Sequence, residues 1–426
     1  MSTAQDHPLR YQLVNELHAR PFPTMTAPST VIYFAVKQPQ EAVSRDRAKD
    51  VEHLVALLDR HGEPHPTPGA THHSATLGRY HLKWEQHTEF VSYMLYCDGV
   101  GDRAFDPLDF NAFPAEWRAQ IPGQVIASVM IRVMPRPEEN AIRKSVEDWM
   151  VPESLTVSRV LDDSAVLAGD FRIDAAGHMR FAVFVSESTG PKRIGRVVQR
   201  LCEVETYRAM SMLGFSRARG LAPTIGALDT HLSEMMQEMT GQSVDAAATL
   251  NQLLTVASEL ESLGARSAFR FGATGAYEAL VDQRVSLLRE ERFQGYQTFT
   301  EFMIRRYEPA MRTVKSTEGR LATLADRARR AGELLRTRVD VERSAQNQAL
   351  LESMDRRADL ALRLQHTVEG LSVVAISYYA VSLASYALYP LTKALDISKG
   401  TLTAIVTLPV IFLVWWLVQR IKKNLH

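Results

Sequence analysis

Two apolar runs near the C-terminal end constrain this chain more than any other feature. Gly370–Thr392 and Gly400–Gln419 contain no Asp, Glu, Lys, Arg or His. Each matches the ~20 residues a helix needs to cross a ~30 Å hydrocarbon core. The second run carries eleven Leu, Ile, Val and Phe residues from Leu402 to Val418. At about −0.5 kcal/mol each on an insertion scale, they contribute roughly −5 kcal/mol. Trp415 and Trp416 near its end, then Arg420, Lys422 and Lys423, form an aromatic belt followed by a positive anchor. The connection, Lys393 to Lys399, is short, so the two runs are expected to form a hairpin. Arg356, Arg357 and Arg363 precede it and the basic tail follows it, which places both ends on the cytoplasmic side. Met1–Arg20 has no apolar stretch of signal-peptide length. The expected location is therefore a bacterial inner membrane, with both termini cytoplasmic.

The first run is more polar than an anchor requires. At 100° per residue, Tyr378, Ser382, Ser385 and Tyr389 fall within about 60° of arc. Such a seam reads either as a pore lining or as hydrogen-bonded helix packing. No fixed charge lies in either run, which argues against an intramembrane proton relay.

Ahead of the hairpin, the first ~190 residues mix strands and helix, consistent with roughly 100–200 residues per domain. Strands are expected at Thr30–Lys37, Leu77–Glu85, Glu89–Cys97, Gln124–Val133, Val157–Ala168 and Met179–Val185. Gln40–His61 reads as a helix with Val51, Leu54, Val55, Leu57 and Leu58 on its apolar face. From Gly195 onward the pattern is helical: Gly195–Leu213, Pro223–Thr240, Val244–Leu263 and Ala276–Tyr307, the last ended by Pro309. No proline then appears until Pro390, so Ala310 to Tyr389 can form one helix, about 120 Å long at 1.5 Å per residue. Leu321, Leu324, Ala328, Ala331 and Leu335 repeat with coiled-coil spacing. Asn347, Leu351, Met354, Ala358, Ala361, Gln365 and Val368 resume it in a shifted register. This seam packs either in the chain's own bundle or in an oligomeric stalk.

The chemistry on offer is sparse. Equal numbers of Lys+Arg and Asp+Glu, 49 each, argue against a global nucleic-acid field. Two cysteines, Cys97 and Cys202, exclude a disulfide scaffold or a Cys-rich zinc site. His61, His65, His72, His73, His81 and His87 cluster early without metal-site spacing, so a metal remains unassigned. In Leu82–Phe90 (LKWEQHTEF), an extended chain puts His81, Lys83, Glu85, His87 and Glu89 on one face. Alternatively Glu85–Thr88 turns between two strands. A His/Glu face can do acid–base work, although such faces are more often solvated. Arg196, Arg200, Glu203 and Arg208, and the charges from Arg284 to Arg306, read as ion pairs on helix faces. No G-x-S-x-G, P-loop, G-x-G-x-x-G or H-E-x-x-H motif is present, so no enzyme is expected.

Several stretches together resemble an uncharacterised bacterial family, domain of unknown function 3422, described as predicted membrane-anchored proteins. They are HPLR and NELHARPFP (His7–Pro23), LKWEQHTEF, VQRLCEVETYRAM (Val198–Met210) and the long run from Arg338 to Tyr379. The resemblance covers nearly the whole chain and implies anchoring; it supplies no activity. A second similarity is one of layout, to CorA-type magnesium channels: a cytoplasmic α/β domain, a very long helix into the membrane, a short loop, a second span and a basic tail. It implies a homo-oligomeric pore and a divalent cation such as Mg²⁺. The Gly-Met-Asn signature of that family is absent; the chain here reads SYALYPLTKALDISKG (Ser385–Gly400).

The expected fold is thus an α+β membrane protein. A mixed α/β cytoplasmic domain occupies residues 1–190 and a helical domain 191–309. A stalk helix over 310–369 leads into spans at 370–392 and 400–419 and a basic tail at 420–426. Its expected partners are the lipid bilayer and further copies of itself, with no nucleic acid. A CorA-like divalent-cation channel is the leading function. A non-conducting scaffold is the rival, and a membrane-tethered enzyme is the distant third.

Overall fold

The computed structural model describes residues 6–11, 14, 21–39, 45–239, 246–390 and 398–425. The chain divides into two compact units: Met1–Gln242 with Asn251–Ala331, and Ser243–Leu250 with Gly332–His426.

The elements of the first unit run β1 (Ser29–Lys37), α1 (Arg47–His61), β2 (His72–Leu77), β3 (Tyr80–Gln86), β4 (Phe90–Asp98), α2 (Ala115–Arg118), β5 (Gln124–Pro135), α3 (Glu139–Trp149), β6 (Thr156–Val160), β7 (Ala165–Ile173), β8 (Met179–Val185), α4 (Pro191–Glu238), α5 (Ala246–Ser286), β9 (Glu291–Arg292) and α6 (Phe299–Phe302). A π-turn, Met303–Tyr307, leads into α7 (Glu308–Ala387), and α8 (Lys399–Leu425) follows. α5 and α7 each begin in one unit and continue into the other.

The strands form one nine-stranded sheet in the order β2-β3-β4-β1-β5-β8-β7-β6-β9. All pairings are antiparallel except β5 with β8. Alternation sends successive side chains to opposite faces. Ile32, Phe34 and Val36 join Trp84, Tyr93 and Met130 on one face, under Leu54, Leu57 and Leu58 of α1, Trp117 of α2 and Ile142 and Val146 of α3. The other face meets α4, where Tyr33 Oη lies 2.8 Å from Thr206 Oγ1.

Several expected boundaries are corrected. The run expected as one strand over Leu77–Glu85 begins instead at the end of a hairpin, β2 turning through Gly78 (φ 62°) into β3. Val157–Ala168 is likewise two strands, because Leu161, Asp162 and Asp163 all adopt positive φ and reverse the chain. Gly195–Leu213 and Pro223–Thr240 are expected as separate helices, yet α4 is continuous through Pro223. Pro223 lies on the exposed side, where water can satisfy the carbonyl its ring deprives of a donor. The helix expected over Ala276–Tyr307 stops at Ser286. Arg289 and Gln294 then take positive φ, and β9 adds an edge strand to the sheet. The helix restarts on a capping box in which Thr298 and Glu301 satisfy each other's backbone N–H. Of the helix expected over Gln40–His61, residues 40–44 lie outside the described residues; the rest is α1, started by an Asp46 cap.

In the first unit, Leu321, Leu324, Ala328 and Ala331 of α7 are buried. Asp229 of α4 accepts ion pairs from Arg320 at 2.8 Å and Arg327 at 3.1 Å of α7. The upper part of the apolar seam therefore packs within its own bundle. In the second unit, Leu335 and Val339 are buried, and α7 is then exposed on all sides up to the apolar stretch. α7 and α8 supply two helices long and apolar enough to cross a membrane.

Candidate functional site

The Leu82–Phe90 region folds as the end of β3, a turn and the start of β4. Strand alternation sends Leu82 and Trp84 into the α1-side core, and Lys83 and Glu85 to the α4 side. There Lys83 Nζ donates to Gln199 Oε1 at 2.5 Å and pairs with Glu85 at 3.1 Å. Gln199 Nε2 donates to Glu203 Oε1 at 2.8 Å, and Glu203 pairs with Arg284 of α5. Glu89 pairs with Arg270 of α5 and is only 4% exposed at its side chain. Burial, then the Glu89 charge, pushes the Tyr277 hydroxyl up. Burial, then the Arg270 charge, pushes the Lys37 ammonium down.

The turn itself is held from the other face. Arg45 donates to the carbonyls of His87 at 2.8 Å, Thr88 at 3.2 Å and Phe90 at 3.3 Å. Its guanidinium pairs with Asp50 at 2.5 Å, and Asp50 also accepts from Gln86 Nε2 at 3.0 Å. Burial raises the Asp50 carboxyl, with Arg45 opposing. β3 ends at Gln86, so His81, Lys83, Glu85, His87 and Glu89 do not line one extended face. Lys83, Glu85 and Glu89 meet the helices. His81 is exposed, and His87 stacks on Phe90 with ring centroids 4.3 Å apart. Paired and buried charges of this kind lock a sheet edge onto its helices; no open acid–base face is formed. Of these partners, Arg45, Asp50, Gln199 and Arg270 carry no local sequence signal.

The early histidines do not converge. His65 pairs with Asp59 at 2.7 Å in the open, and His72 and His73 lie on β2. Among the described residues, no three His, Cys, Asp or Glu side chains are grouped to hold a metal.

The seam of the second unit borders the contact between α7 and α8. Ser377 is buried, and Ala380, Val381 and Ala384 are half-buried. On α8, Val406 and Val410 are half-buried and Val414 is buried. Small residues on one helix and β-branched ones on the other allow close approach. Ser382 and Ser385 sit half-buried beside this contact, while Tyr378 and Tyr389 remain 71% and 51% exposed. With Lys399 and Thr403 of α8, all four line a cleft of ≈ 330 Å³. The seam is thus shared between hairpin packing and a polar recess.

The family model described as "Protein of unknown function (DUF3422)" matches residues 5–425. The chain belongs to that family. The comparison with curated proteins gives no match.

Proposed function

We propose that this DUF3422 protein is a membrane-tethered homo-oligomer, its sheet-and-helix unit held on the cytoplasmic face of a bacterial inner membrane by the α7–α8 hairpin. The supporting observation is one stretch of helix. Leu351, Met354 and Val368 are 66, 58 and 54% exposed, with Ala358, Ala361 and Gln365 on the same stripe. Leu350, Leu362 and Leu364 widen it. Apolar residues at 3,4 spacing left to water are what a second copy of the same helix would cover. In this reading the protein is a scaffold that clusters its cytoplasmic units.

Conduction is the second reading, a divalent-cation channel of the CorA type. The exposure of Tyr378, eleven residues before Tyr389 and deep in the span, favours it, because an anchor gains nothing from a hydroxyl at that depth. The experiment for the assembly is the mass of the full chain in detergent, together with tags at Ser2 and His426. An oligomer with both tags cytoplasmic supports the proposal. A monomer, or a His426 tag on the far side, removes it.

A further inference from the structure

The cleft at the hairpin has features that neither anchoring nor assembly uses. Its wall is formed by Tyr378, Val381, Ser382, Ser385 and Tyr386 of α7 and by Tyr389 just past its end, and Lys399 closes one end. At ≈ 330 Å³ it reaches the size of small-molecule sites. The Lys399 ammonium lies 5.9 Å from the centroid of the Tyr389 ring. Ser385 Oγ is buried and has no hydrogen-bond partner. Hydroxyls in apolar helices ordinarily turn back to the carbonyl four residues earlier. Thr403 and Thr407 of α8 do so, at 3.0 and 2.7 Å. Ser385 does not, and an unmet hydroxyl is costly in hydrocarbon.

The dimensions point to a lipid. Tyr389 and Lys399 lie where the two helices approach their connection, which in a membrane is headgroup depth. Tyr378 is eleven residues earlier on α7, about 16 Å deeper at 1.5 Å per residue. That is close to half of a ~30 Å hydrocarbon core, the depth of one leaflet. The recess is therefore cationic at the surface, lined along its length by apolar surface set with serine, threonine and tyrosine hydroxyls, and one leaflet deep. A second copy of the hairpin would bring a second Lys399 to the mouth, so a symmetric contact there sets like charges together. A phosphate neutralises it.

Resting on the membrane reading above, we propose that this cleft is a site for one anionic phospholipid, its phosphate on Lys399 and its glycerol oxygens within reach of Ser385 and Ser382.

The test reconstitutes the full chain in phosphatidylcholine vesicles containing phosphatidylglycerol, extracts it in detergent and weighs the retained lipid by native mass spectrometry. Phosphatidylglycerol should be retained over phosphatidylcholine by about fivefold, the ~1 kcal/mol that one lysine near an anionic surface supplies. Lys399→Gln should abolish the preference, Lys399→Arg should keep it, and Arg420→Gln at the far end of α8 should leave it unchanged. No preference in the wild type, or a preference indifferent to Lys399→Gln, overturns the site. Displacement of the lipid by millimolar inorganic phosphate overturns it in favour of a free-phosphate site. Alkaline carbonate extraction of the same vesicles separates the two failures. Protein that washes off overturns the membrane reading and the site with it, whereas protein that stays without lipid preference overturns the site alone.

Discussion

A Cβ placed on Gly214 would lie 2.1 Å from Thr274 Oγ1, so α4 and α5 touch through a glycine. Thr274 is itself fixed: it is buried and its hydroxyl donates to Arg270 O at 2.8 Å. One turn from the contact, Ser211 Oγ lies 2.8 Å from Tyr307 Oη, and burial pushes that phenol up to about 12. The close approach also brings Arg270 of α5 to Glu89. Gly214→Ala should therefore lower stability. Overpacking costs about 1–3 kcal/mol, against about 1 kcal/mol gained in helix propensity. Gly214→Val should cost more, and Thr274→Ala should restore part of the loss in the double variant. Thermal unfolding of the wild type, both Gly214 variants, Thr274→Ala and the double variant in detergent measures it; independent, additive effects would show that the helices do not meet there.

A second contact of the same kind pins the chain at Pro23. A Cβ on Gly195 would lie 1.7 Å from the carbonyl oxygen of Pro23. The segment after NELHARPFP crosses the first turns of α4, with Met25 buried beside it. Gly195→Ala should expose this segment, seen as faster limited proteolysis before Ser29 with β-sheet signal retained. An unchanged cleavage rate would contradict the strap.

The ion pair at the β3–β4 turn gives a sharper sign. Removing one member of a buried pair costs about 3–5 kcal/mol, while replacing both by apolar groups is often neutral. Arg270→Met should destabilise strongly because the buried Glu89 carboxylate loses its cation and keeps only the Tyr277 hydroxyl. Adding Glu89→Leu to it should recover most of the loss, by chemical denaturation. A double variant as weak as the single one would instead point to a role for Arg270 in packing alone.

How far these features were legible varies with range. The two apolar runs, the strand Met179–Val185 and the apolar face of α1 follow from composition and periodicity, which act locally. The alternation Leu82/Lys83/Trp84/Glu85 also correctly separates the two sheet faces. What lies opposite Lys83 does not, because Gln199 is 116 residues away and Arg270 is 181 residues from Glu89. Turn chemistry failed at Leu161–Asp163, where three non-glycine residues with positive φ reverse the chain without a Gly or Pro to mark it. Helix ends failed for the opposite reason. Pro223, Gly264, Gly272 and Gly275 look like breakers, but Pro223 faces solvent and each of these glycines has open space, so the packed faces of α4 and α5 carry the helix through. The 3,4-spaced apolar seam of α7 is legible in the sequence, but only tertiary packing divides it between a buried upper part and an uncovered lower one.

His53 gives the pH prediction. Its Nδ1 lies 2.9 Å from Tyr93 Oη, its Nε2 lies 3.1 Å from Trp117 O, and its ring stacks on Trp117 with centroids 4.0 Å apart. Burial lowers its pKa below the ordinary 6.5, only partly opposed by the Trp117 carbonyl. The folded state then binds this proton less readily than the unfolded chain. Stability is complete above pH ~6.5 and declines as pH falls from there toward the lower folded value. Asp50 and Glu205, raised by burial, shift in the opposite sense, so the total curve is not the test. The difference between wild type and His53→Gln is. The wild-type advantage should be largest at neutral pH and shrink below pH ~6; a difference independent of pH would mean that His53 titrates alike in the folded and unfolded states.

The last prediction separates scaffold from channel. Tyr378, Ser382, Ser385 and Tyr389 share a stripe, yet Ser382 and Ser385 border the contact with α8 while the tyrosines face outward. If copies assemble through the exposed stripe from Leu351 to Val368, α7 enters the membrane next to the axis and its hydroxyls become rings around it. Those rings could steady a hydrated cation without fixed charge, leaving α8 toward lipid, as its composition suits. Leu351→Glu with Met354→Glu should dissociate the oligomer, since charge buried in an apolar seam without a partner is strongly unfavourable. Ser382→Leu with Ser385→Leu should leave the mass unchanged, because hydroxyls are replaced by apolar groups within an apolar helix. Flux of Mg²⁺, Co²⁺ or Ni²⁺ into proteoliposomes then discriminates. Flux in the wild type that disappears in the serine variant, with the oligomer intact, establishes conduction. Intact wild-type oligomers that pass none of these ions leave the hydroxyl stripe to packing and lipid, and the assembly to its role as a scaffold.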